Sequence, residues 1–192
     1  MNDKDFTKIF EDTNALMYGH FILSSGMRSD TYFQCAKVLQ HPKYLMMFGE
    51  ILCNHFKSFG IEKVVSPAMG GIVLGTEVGR QLGVKTIFCE RFEGKMELRR
   101  GFSIKDGEKI LIVEDVLSTG GSLKEVINVI KSHNANIVGI GVVVDRSSSH
   151  IELHKEFFSI TKQVANIFNP ENLPESLQDI PAVKPGSNTI NV

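Results

Sequence analysis

The chain has 192 residues, of which 42% are apolar and 22% are charged, and its formal net charge is −1. This length is enough for one domain with a sizeable core. The near-neutral charge argues against a nucleic-acid-binding protein, which needs an excess of Lys and Arg. The three widely spaced cysteines, Cys35, Cys53 and Cys89, predict neither a disulfide framework nor a zinc knuckle.

No segment of the sequence predicts export or membrane insertion. The N-terminus is acidic and amphipathic, and it lacks the basic start and apolar stretch of a signal peptide. The longest apolar run, 137–144, is far shorter than the roughly 20 residues that a membrane helix needs. We therefore expect a cytoplasmic protein without a membrane partner, and free thiols fit that reducing compartment.

The beginning of the chain is predicted to hold two helices and a hairpin. Apolar residues near helical spacing predict a helix over 3–17. Residues 20–34 mix glycine, serine and aromatic residues and predict a short hairpin. Pro42 is typical of a helix start and Gly60 of a helix end, and the apolar face between them predicts a second helix.

From residue 64 onward, short apolar strands alternate with helices. Strands are predicted at 64–65, 86–89, 110–113 and 137–144, and helices after the turn 66–71 as far as about 82 and over 121–132. Residues 90–101 predict a long loop or an exposed hairpin, and the last 23 residues predict an extended tail packed on the surface. Fully apolar strands alternating with helices are typical of an α/β protein whose parallel sheet is covered on both faces.

The loops at the carboxyl ends of the parallel strands are the expected ligand site. After the strand 110–113 come two carboxylates, Glu114 and Asp115, and then a bend of small and hydroxyl residues that leads into a helix. Such a bend lets backbone N–H groups approach an anion, and carboxylates accept hydrogen bonds from sugar hydroxyls, worth about 1.5–3 kcal/mol each. The segment predicts a ribose-phosphate site. A plain helix cap beside a metal-holding acidic pair is the alternative.

Residues 114–122 resemble the signature with which type I phosphoribosyltransferases bind 5-phosphoribosyl 1-diphosphate (PRPP). The resemblance implies that Glu114 and Asp115 hold the ribose hydroxyls, with Asp115 also catalytic, and that 118–122 wrap the 5-phosphate. The implied PRPP contacts in this segment are Glu114, Asp115, Val116, Leu117, Ser118, Thr119, Gly120, Gly121 and Ser122.

A second loop, Pro67-Ala68-Met69-Gly70-Gly71, follows the strand 64–65. Its glycines would let a ligand press on the main chain, although a tight turn before a helix is the alternative. In the resembling family this is the diphosphate loop, often with a non-proline cis peptide bond, which here would join Ala68 and Met69. Relatives often carry a lysine in this loop. This chain has Gly70, so the loop backbone is expected to serve instead.

The third loop, 90–101, interleaves four cations with glutamates. Composition alone fits a solvated charged hairpin; the alternative is a mobile lid that brings cations to a leaving diphosphate. In orotate phosphoribosyltransferases, which this loop resembles, the loop covers the active site of the partner subunit. The resemblance therefore implies a homodimer, with Lys95 as the catalytic, PRPP-contacting lysine and Arg91 as a further PRPP contact. Glu97 replaces a histidine common in relatives, and Arg99 or Arg100 is expected to compensate.

Residues 20–33 resemble the N-terminal base-binding segment of orotate phosphoribosyltransferases. The resemblance implies orotate contacts at Ser25 and Phe33, and an ordinary hairpin is the alternative. Ser24 stands where many relatives have lysine, so one contact with PRPP differs in this chain.

Arg146 follows the buried strand 142–144 and is suited to the ring carboxylate of orotate. Arginine pairs with carboxylates through two parallel hydrogen bonds, although a surface ion pair with Asp145 is the alternative. In the resembling family this arginine contacts orotate, and Ser118 stands where another orotate contact lies.

The resemblance covers about residues 15–150 and implies an enzyme of UMP biosynthesis that transfers the phosphoribosyl group of PRPP to orotate. It implies Mg²⁺ held mainly through PRPP, without protein ligands. It also implies the type I phosphoribosyltransferase fold in a single domain, 1–192, with a core of about 40–150 and a hood from about 1–35 and the C-terminal tail. The alternatives are a transferase for a purine or another base, and a non-catalytic PRPP-sensing regulator.

Overall fold

The computed structural model of the protein describes residues 2–23 and 25–185. Its helices are α1 (Asp3–Asp12), α2 (Ala36–Leu39), α3 (Pro42–Phe56, extended by a 3-10 turn, Lys57–Phe59), α4 (Gly70–Leu82), α5 (Gly121–Ser132) and α6 (Glu175–Gln178). Its strands are β1 (Leu16–Ile22), β2 (Arg28–Phe33), β3 (Lys63–Pro67), β4 (Lys85–Phe92), β5 (Lys95–Leu98), β6 (Lys109–Leu117), β7 (Asn136–Asp145), β8 (Phe157–Lys162) and β9 (Ile167–Phe168). None of these helices is both long and apolar enough to cross a lipid bilayer.

The chain divides into two compact units. One contains the two ends of the chain, up to Val38 and from Val164, and the other is Leu39–Gln163. In the first unit, strands β1, β2 and β9 form an antiparallel sheet in that order. The rings of Phe10 and Phe33 pack edge to face at 4.8 Å in its core.

Helix α1 ends earlier than the predicted helix over 3–17. Thr13 caps the helix, and Asn14 has φ 53°, a left-handed conformation that asparagine tolerates and that breaks a helix. Leu16 and Met17 therefore begin β1, so the predicted hairpin is confirmed but starts four residues earlier than expected. The apolar spacing across the turn was misleading because Leu16 is buried from a strand.

Part of the predicted surface tail adds to the sheet of the first unit. The Val183 N–H donates to the His20 carbonyl and the Ile22 N–H donates to the Val183 carbonyl, both at 2.8 Å. This pairing places Val183 beside Phe21 in a parallel bridge. The predicted tail also covers 186–192, which lie outside the described residues.

The second unit contains a six-stranded sheet in the order β5-β4-β3-β6-β7-β8, parallel except for β5. On β6, Ile110 and Ile112 pack in a buried cluster with α5, whereas Leu111 and Val113 point to the opposite face, on which α4 lies against the strand. The predicted parallel sheet with both faces covered is thus confirmed. Strand β8, which no pattern predicted, extends the sheet beyond β7.

Two glycines in β7 bring α3 close to the sheet. A Cβ atom on Gly139 would collide with the ring of Phe56, and one on Gly141 would lie 3.0 Å from both Leu52 and Phe56. These glycines interrupt the apolar run 137–144 because the helix needs their space. They therefore have a packing role.

A buried ion pair lies at the amino ends of β3 and β6, opposite to the edge of the sheet where ligands are expected. Lys63 Nζ donates to Glu108 Oε2 at 2.7 Å and to the Ser103 carbonyl at 2.8 Å. Burial opposes the ionisation of Glu108, but the hydrogen bonds from Lys63 and the Lys105 N–H hold its pKa below the usual range. A cavity of about 540 Å³ lies here, and its most buried charges are already paired with each other.

Candidate active site

The acidic pair lies on β6, which runs on to Leu117. The predicted strand, 110–113, was too short because parallel pairing with β7 continues through Val116 and Leu117. Glu114 and Asp115 therefore lie near the carboxyl end of a central strand, where β7 still pairs with β6 but the pairing with β3 has ended at Ile112.

The bend after β6 forms a small cup at the N-terminus of α5. Gly120 adopts φ +76° and precedes the first helical residue, Gly121. The cup has a volume of about 40 Å³ and is lined by Glu114, Val116, Ser118, Thr119, Gly120, Gly121 and Ser122. Free backbone N–H groups at a helix N-terminus, together with the helix dipole, favour an anion here.

The hydroxyl groups of the cup are not used to cap α5. No side chain makes a capping hydrogen bond at this helix N-terminus. The side chains of Ser118, Thr119 and Ser122 form no hydrogen bond with any residue in 2–23 and 25–185. The alternative of a plain Ser/Thr helix cap is therefore not supported. The donors remain available to an anion.

Glu114 and Asp115 form a desolvated acidic pair. Burial and the neighbouring Asp115 carboxylate raise the pKa of Glu114 to about 8. Burial also raises the pKa of Asp115, although the N–H groups of Val116 and of Asp115 itself oppose the rise. Neither carboxylate forms a salt bridge with a described cation. The pair therefore suits a ligand that brings hydroxyl donors or positive charge.

The second predicted loop lies directly against Asp115. The Ala68–Met69 peptide bond is cis, as expected, and the Ala68 N–H donates to the Cys89 carbonyl at 2.7 Å. Gly70 starts α4 so close to Asp115 that a Cβ atom there would lie 2.5 Å from the carboxylate. Two segments that are far apart in sequence thus meet at one point.

The third predicted loop is a β-hairpin formed by β4 and β5. Its turn, Glu93-Gly94, has positive φ at both residues, which is typical of the tight turns that join twisted strands. Strand β5 turns Met96 toward the core, so Lys95 and Glu97 point to the other side, and Lys95 is exposed. Of the long loop or exposed hairpin predicted over 90–101, the hairpin is confirmed, and its movement as a lid stays a prediction.

Carboxylates hold three of the four hairpin cations. Arg91 pairs with Glu125 of α5 at 2.7 Å. Glu90 accepts a hydrogen bond from Arg100 at 2.9 Å and lies 4.0 Å from Arg99. Lys95 forms no ion pair with any described residue.

Arg146 is tied by its backbone to the segment that enters the cup. Its N–H donates to the Leu117 carbonyl at 2.7 Å. The Asp145 carboxylate accepts hydrogen bonds from the Ser147 N–H and hydroxyl, at 2.8 and 2.6 Å, and lies 3.6 Å from Lys162 Nζ. Asp145 is thus committed to Ser147 and Lys162.

Sequence reasoning missed the residues that support the predicted site. Glu125 holds Arg91, and Ser147 and Lys162 hold Asp145. Ser147 lies two residues after Asp145, a spacing typical of Asx turns, in which an aspartate accepts a hydrogen bond from the N–H two residues on. No local signal marks the other two, because each contact joins distant parts of the chain.

The predicted orotate contacts in the first unit differ in exposure. Ser25 is exposed, whereas Phe33 is buried against Phe10 in the core of that unit. Their roles toward orotate stay predictions. Ser24, where a contact was expected to differ from relatives, lies outside the described residues.

Comparison with known proteins defines the class. A model of the phosphoribosyl transferase domain matches residues 34–178, so the chain belongs to the phosphoribosyltransferase family. A relative from Chlorobium phaeobacteroides (strain DSM 266) named orotate phosphoribosyltransferase is 49% identical and covers 97% of each chain. A Desulforamulus reducens protein of the same name is 48% identical, over 99% of this chain and 100% of its own. Within the family, the chain thus groups with the orotate phosphoribosyltransferases.

Solved structures bear on the fold. The crystal structure of orotate phosphoribosyltransferase from Aeropyrum pernix superposes with a TM-score of 0.72 at 22% identity, covering 82% of this chain and 93% of that one. The adenine phosphoribosyltransferase of Thermoanaerobacter pseudethanolicus gives a TM-score of 0.60 at 16% identity, covering 69% and 88%. At these identities the likeness shows the fold alone. The type I phosphoribosyltransferase fold predicted from the sequence is confirmed.

Proposed function

We propose that this chain transfers the phosphoribosyl group of PRPP to orotate, giving orotidine 5-monophosphate and diphosphate, as a homodimer in the cytoplasm. The observation that carries the proposal is the cup after β6. It combines the Glu114 carboxyl group with hydroxyl and N–H donors that the protein itself does not use, and Asp115 is the next residue along the strand. A ligand with a diol and a phosphate satisfies both halves of this site.

The cup residues would divide the sugar phosphate between them. Glu114 and Asp115 accept hydrogen bonds from the ribose hydroxyls, and the segment from Ser118 to Ser122 surrounds the 5-phosphate. Val116 and Leu117 join the acidic pair to the phosphate-binding segment, and their backbone would also contact PRPP. Because each charged acceptor contributes about 1.5–3 kcal/mol, the acidic pair accounts for much of the affinity for PRPP.

The acidic pair also fits a substrate that carries Mg²⁺. Among the described residues no group of three or more His, Cys, Asp or Glu side chains could hold a metal ion. As the resemblance implies, a cation that arrives with PRPP would be held mainly by the substrate, near Glu114 and Asp115, whose raised pKa values favour added positive charge. When bound, Mg²⁺ would neutralise charge on the diphosphate leaving group. The backbone of Ala68, Met69 and Gly70 would face that diphosphate.

Lys95 would supply positive charge across the subunit boundary. It lies on the exposed edge strand β5 without an ion pair to a described residue, so its ammonium group is available to another chain. Orotate is an anion and needs no strong base. Catalysis then consists of positioning and of charge stabilisation as diphosphate leaves. When the hairpin closes over the active site, Arg91 would leave its ion pair with Glu125 and bind PRPP instead.

Arg146 would select the base through the ring carboxylate of orotate. Its N–H bond to the Leu117 carbonyl holds it beside the cup, where Ser118 would provide a second orotate contact. A guanidinium group recognises a carboxylate through two parallel hydrogen bonds, whereas uracil and the purine bases offer no such group.

Arg146→Ala is expected to weaken orotate binding by about tenfold to a hundredfold, the scale of one charge-assisted contact. PRPP binding should change little. Isothermal titration with each substrate measures both affinities. Lys131→Ala, which removes an exposed cation from the last turn of α5, is the control. Equal orotate affinity in the Arg146 variant and the unaltered protein would exclude the proposed contact.

The reaction itself is tested by following the absorbance of orotate. We expect the absorbance to fall only when enzyme, PRPP and Mg²⁺ are all present, and each is omitted in turn. Uracil, adenine, hypoxanthine and xanthine replace orotate in parallel reactions. Conversion of another base in preference to orotate would contradict the proposed specificity, and PRPP binding without conversion of any base would indicate a regulator.

A further inference from the structure

Gly70 and Asp115 are in contact at the meeting point of the two loops proposed to bind PRPP. Gly70 is the first residue of α4, and Asp115 lies near the carboxyl end of β6. A Cβ atom added to Gly70 would lie 2.5 Å from Asp115 Oδ2 and 2.6 Å from Oδ1. Real Cβ atoms essentially never come within 3.0 Å of another heavy atom, so a side chain at 70 would force a movement.

The backbone torsion at position 70 does not require glycine. Its φ is not in the left-handed region, unlike that of Gly83 or Gly120. It lies in the first turn of a helix, where alanine is ordinarily more favourable than glycine. The three atoms nearest to an added Cβ all belong to the Asp115 carboxylate. The missing side chain therefore makes room for that one group.

The direction of the Asp115 carboxylate is set from two sides. Oδ1 accepts a hydrogen bond from the Val116 N–H at 2.9 Å, and both oxygens lie against Gly70. A side chain at 70 would turn the carboxylate away from this hydrogen bond. Because Asp115 is only partly exposed to solvent, water would replace the lost donor incompletely.

We infer that Gly70 is a positioning residue for PRPP, whose bare Cα keeps the Asp115 carboxylate directed at the ribose. The inference rests on the proposed function and deepens it, since it couples the diphosphate loop to the ribose-binding acids. It also predicts that a cation at position 70 is harmful. A lysine would add charge beside the diphosphate, but its Cβ would displace Asp115 first.

Kinetics with Gly70→Ala and Gly70→Lys separate this steric role from a charge effect. Both variants are expected to raise the KM and the Kd for PRPP by about tenfold to a hundredfold, the scale of one charge-assisted contact. The KM for orotate should stay within about twofold of the unaltered value. Val73→Ala, an exposed position on the same helix, is the control. Tighter PRPP binding by Gly70→Lys, or unchanged binding by both variants, would overturn the inference.

Thermal unfolding without ligands tests the contact independently of activity. Gly70→Ala should lower Tm in the unaltered protein and raise it in an Asp115→Ala background, where the helix preference for alanine is no longer opposed. The same change in both backgrounds would show that Gly70 does not make room for Asp115. If the unaltered protein does not bind PRPP, both the proposed function and the role of Gly70 in PRPP binding are wrong. The unfolding data would then still show whether Gly70 makes room for Asp115.

Discussion

Lys95→Ala is expected to lower steady-state turnover by about 10²–10³, the scale for removing one preorganised group that stabilises charge in the transition state. The ammonium group would act only as diphosphate leaves, so the KM for orotate should change far less than kcat. Lys105→Ala removes an exposed lysine from the loop beyond the hairpin and is the matched control. Unchanged turnover in the Lys95 variant would remove this residue from the mechanism.

Subunit exchange tests whether Lys95 acts in the other chain of a dimer. Lys95→Ala and Asp115→Asn should each be nearly inactive alone. A mixed dimer restores one site that contains both native residues, so mixing the two variants is expected to recover part of the activity. A dimer that exchanges subunits without recovering activity would contradict a shared site.

Replacing both acids by their amides, Glu114→Gln with Asp115→Asn, is expected to weaken PRPP binding by about 10² or more. Each charged acceptor contributes about 1.5–3 kcal/mol, and the amides keep the shape of the site while removing its charge. Titration calorimetry with PRPP and Mg²⁺ measures the loss above pH 8, where Glu114 is mostly ionised in the folded chain. Glu50→Gln, which neutralises an exposed acid of α3, is the control. An affinity within a few fold of the unaltered protein would contradict the role of the acidic pair.

The same double variant should be more stable than the unaltered protein at alkaline pH. The pKa of Glu114 is about 8 in the folded chain, and that of Asp115 is also raised, so folding favours their protonated forms. The unfolded chain loses these protons at lower pH. The free energy of unfolding therefore falls as pH rises from about 4.5 to about 8, and the amides escape this loss.

Above pH 8 the amide variant is expected to gain about 1–3 kcal/mol, the scale of the penalty for a poorly solvated polar group, because the amides carry no charge. For a chain of this size the gain corresponds to a Tm higher by about 2–10 °C. Near pH 4.5 the two proteins should unfold at similar temperatures. A difference in Tm that does not grow with pH would show that the acids are not held in the desolvated state described for the folded chain.

The central sheet could be predicted because its strands are short, continuous apolar runs. Ile110 to Val113 cannot be solvated on either face, and turn and helix signals follow the strand immediately. The helix over 121–132 was predicted with its observed bounds, because glycine precedes it and its apolar positions recur at helical spacing. Strand β8 was missed because its residues are only partly buried at the edge of the sheet, where apolar periodicity is weak.

The chemistry of the site could be predicted only where it is local in sequence. Glu114 to Ser122 form one contiguous segment, so residue types and spacing sufficed. The Gly70–Asp115 contact and the Arg91–Glu125 pair join different elements, and only the packing of α4 and α5 on the sheet brings them together. The sequence marked Gly70 as a departure from relatives, but not as space for a carboxylate.

The ligand that the cup after β6 binds decides the proposed function. A crystal of the protein soaked with PRPP and Mg²⁺ measures this directly. We expect the 5-phosphate within hydrogen-bond distance of the backbone and hydroxyl groups of 118–122, and both ribose hydroxyls on Glu114 and Asp115. Density for the sugar phosphate at any other place, with this cup empty, would contradict the account.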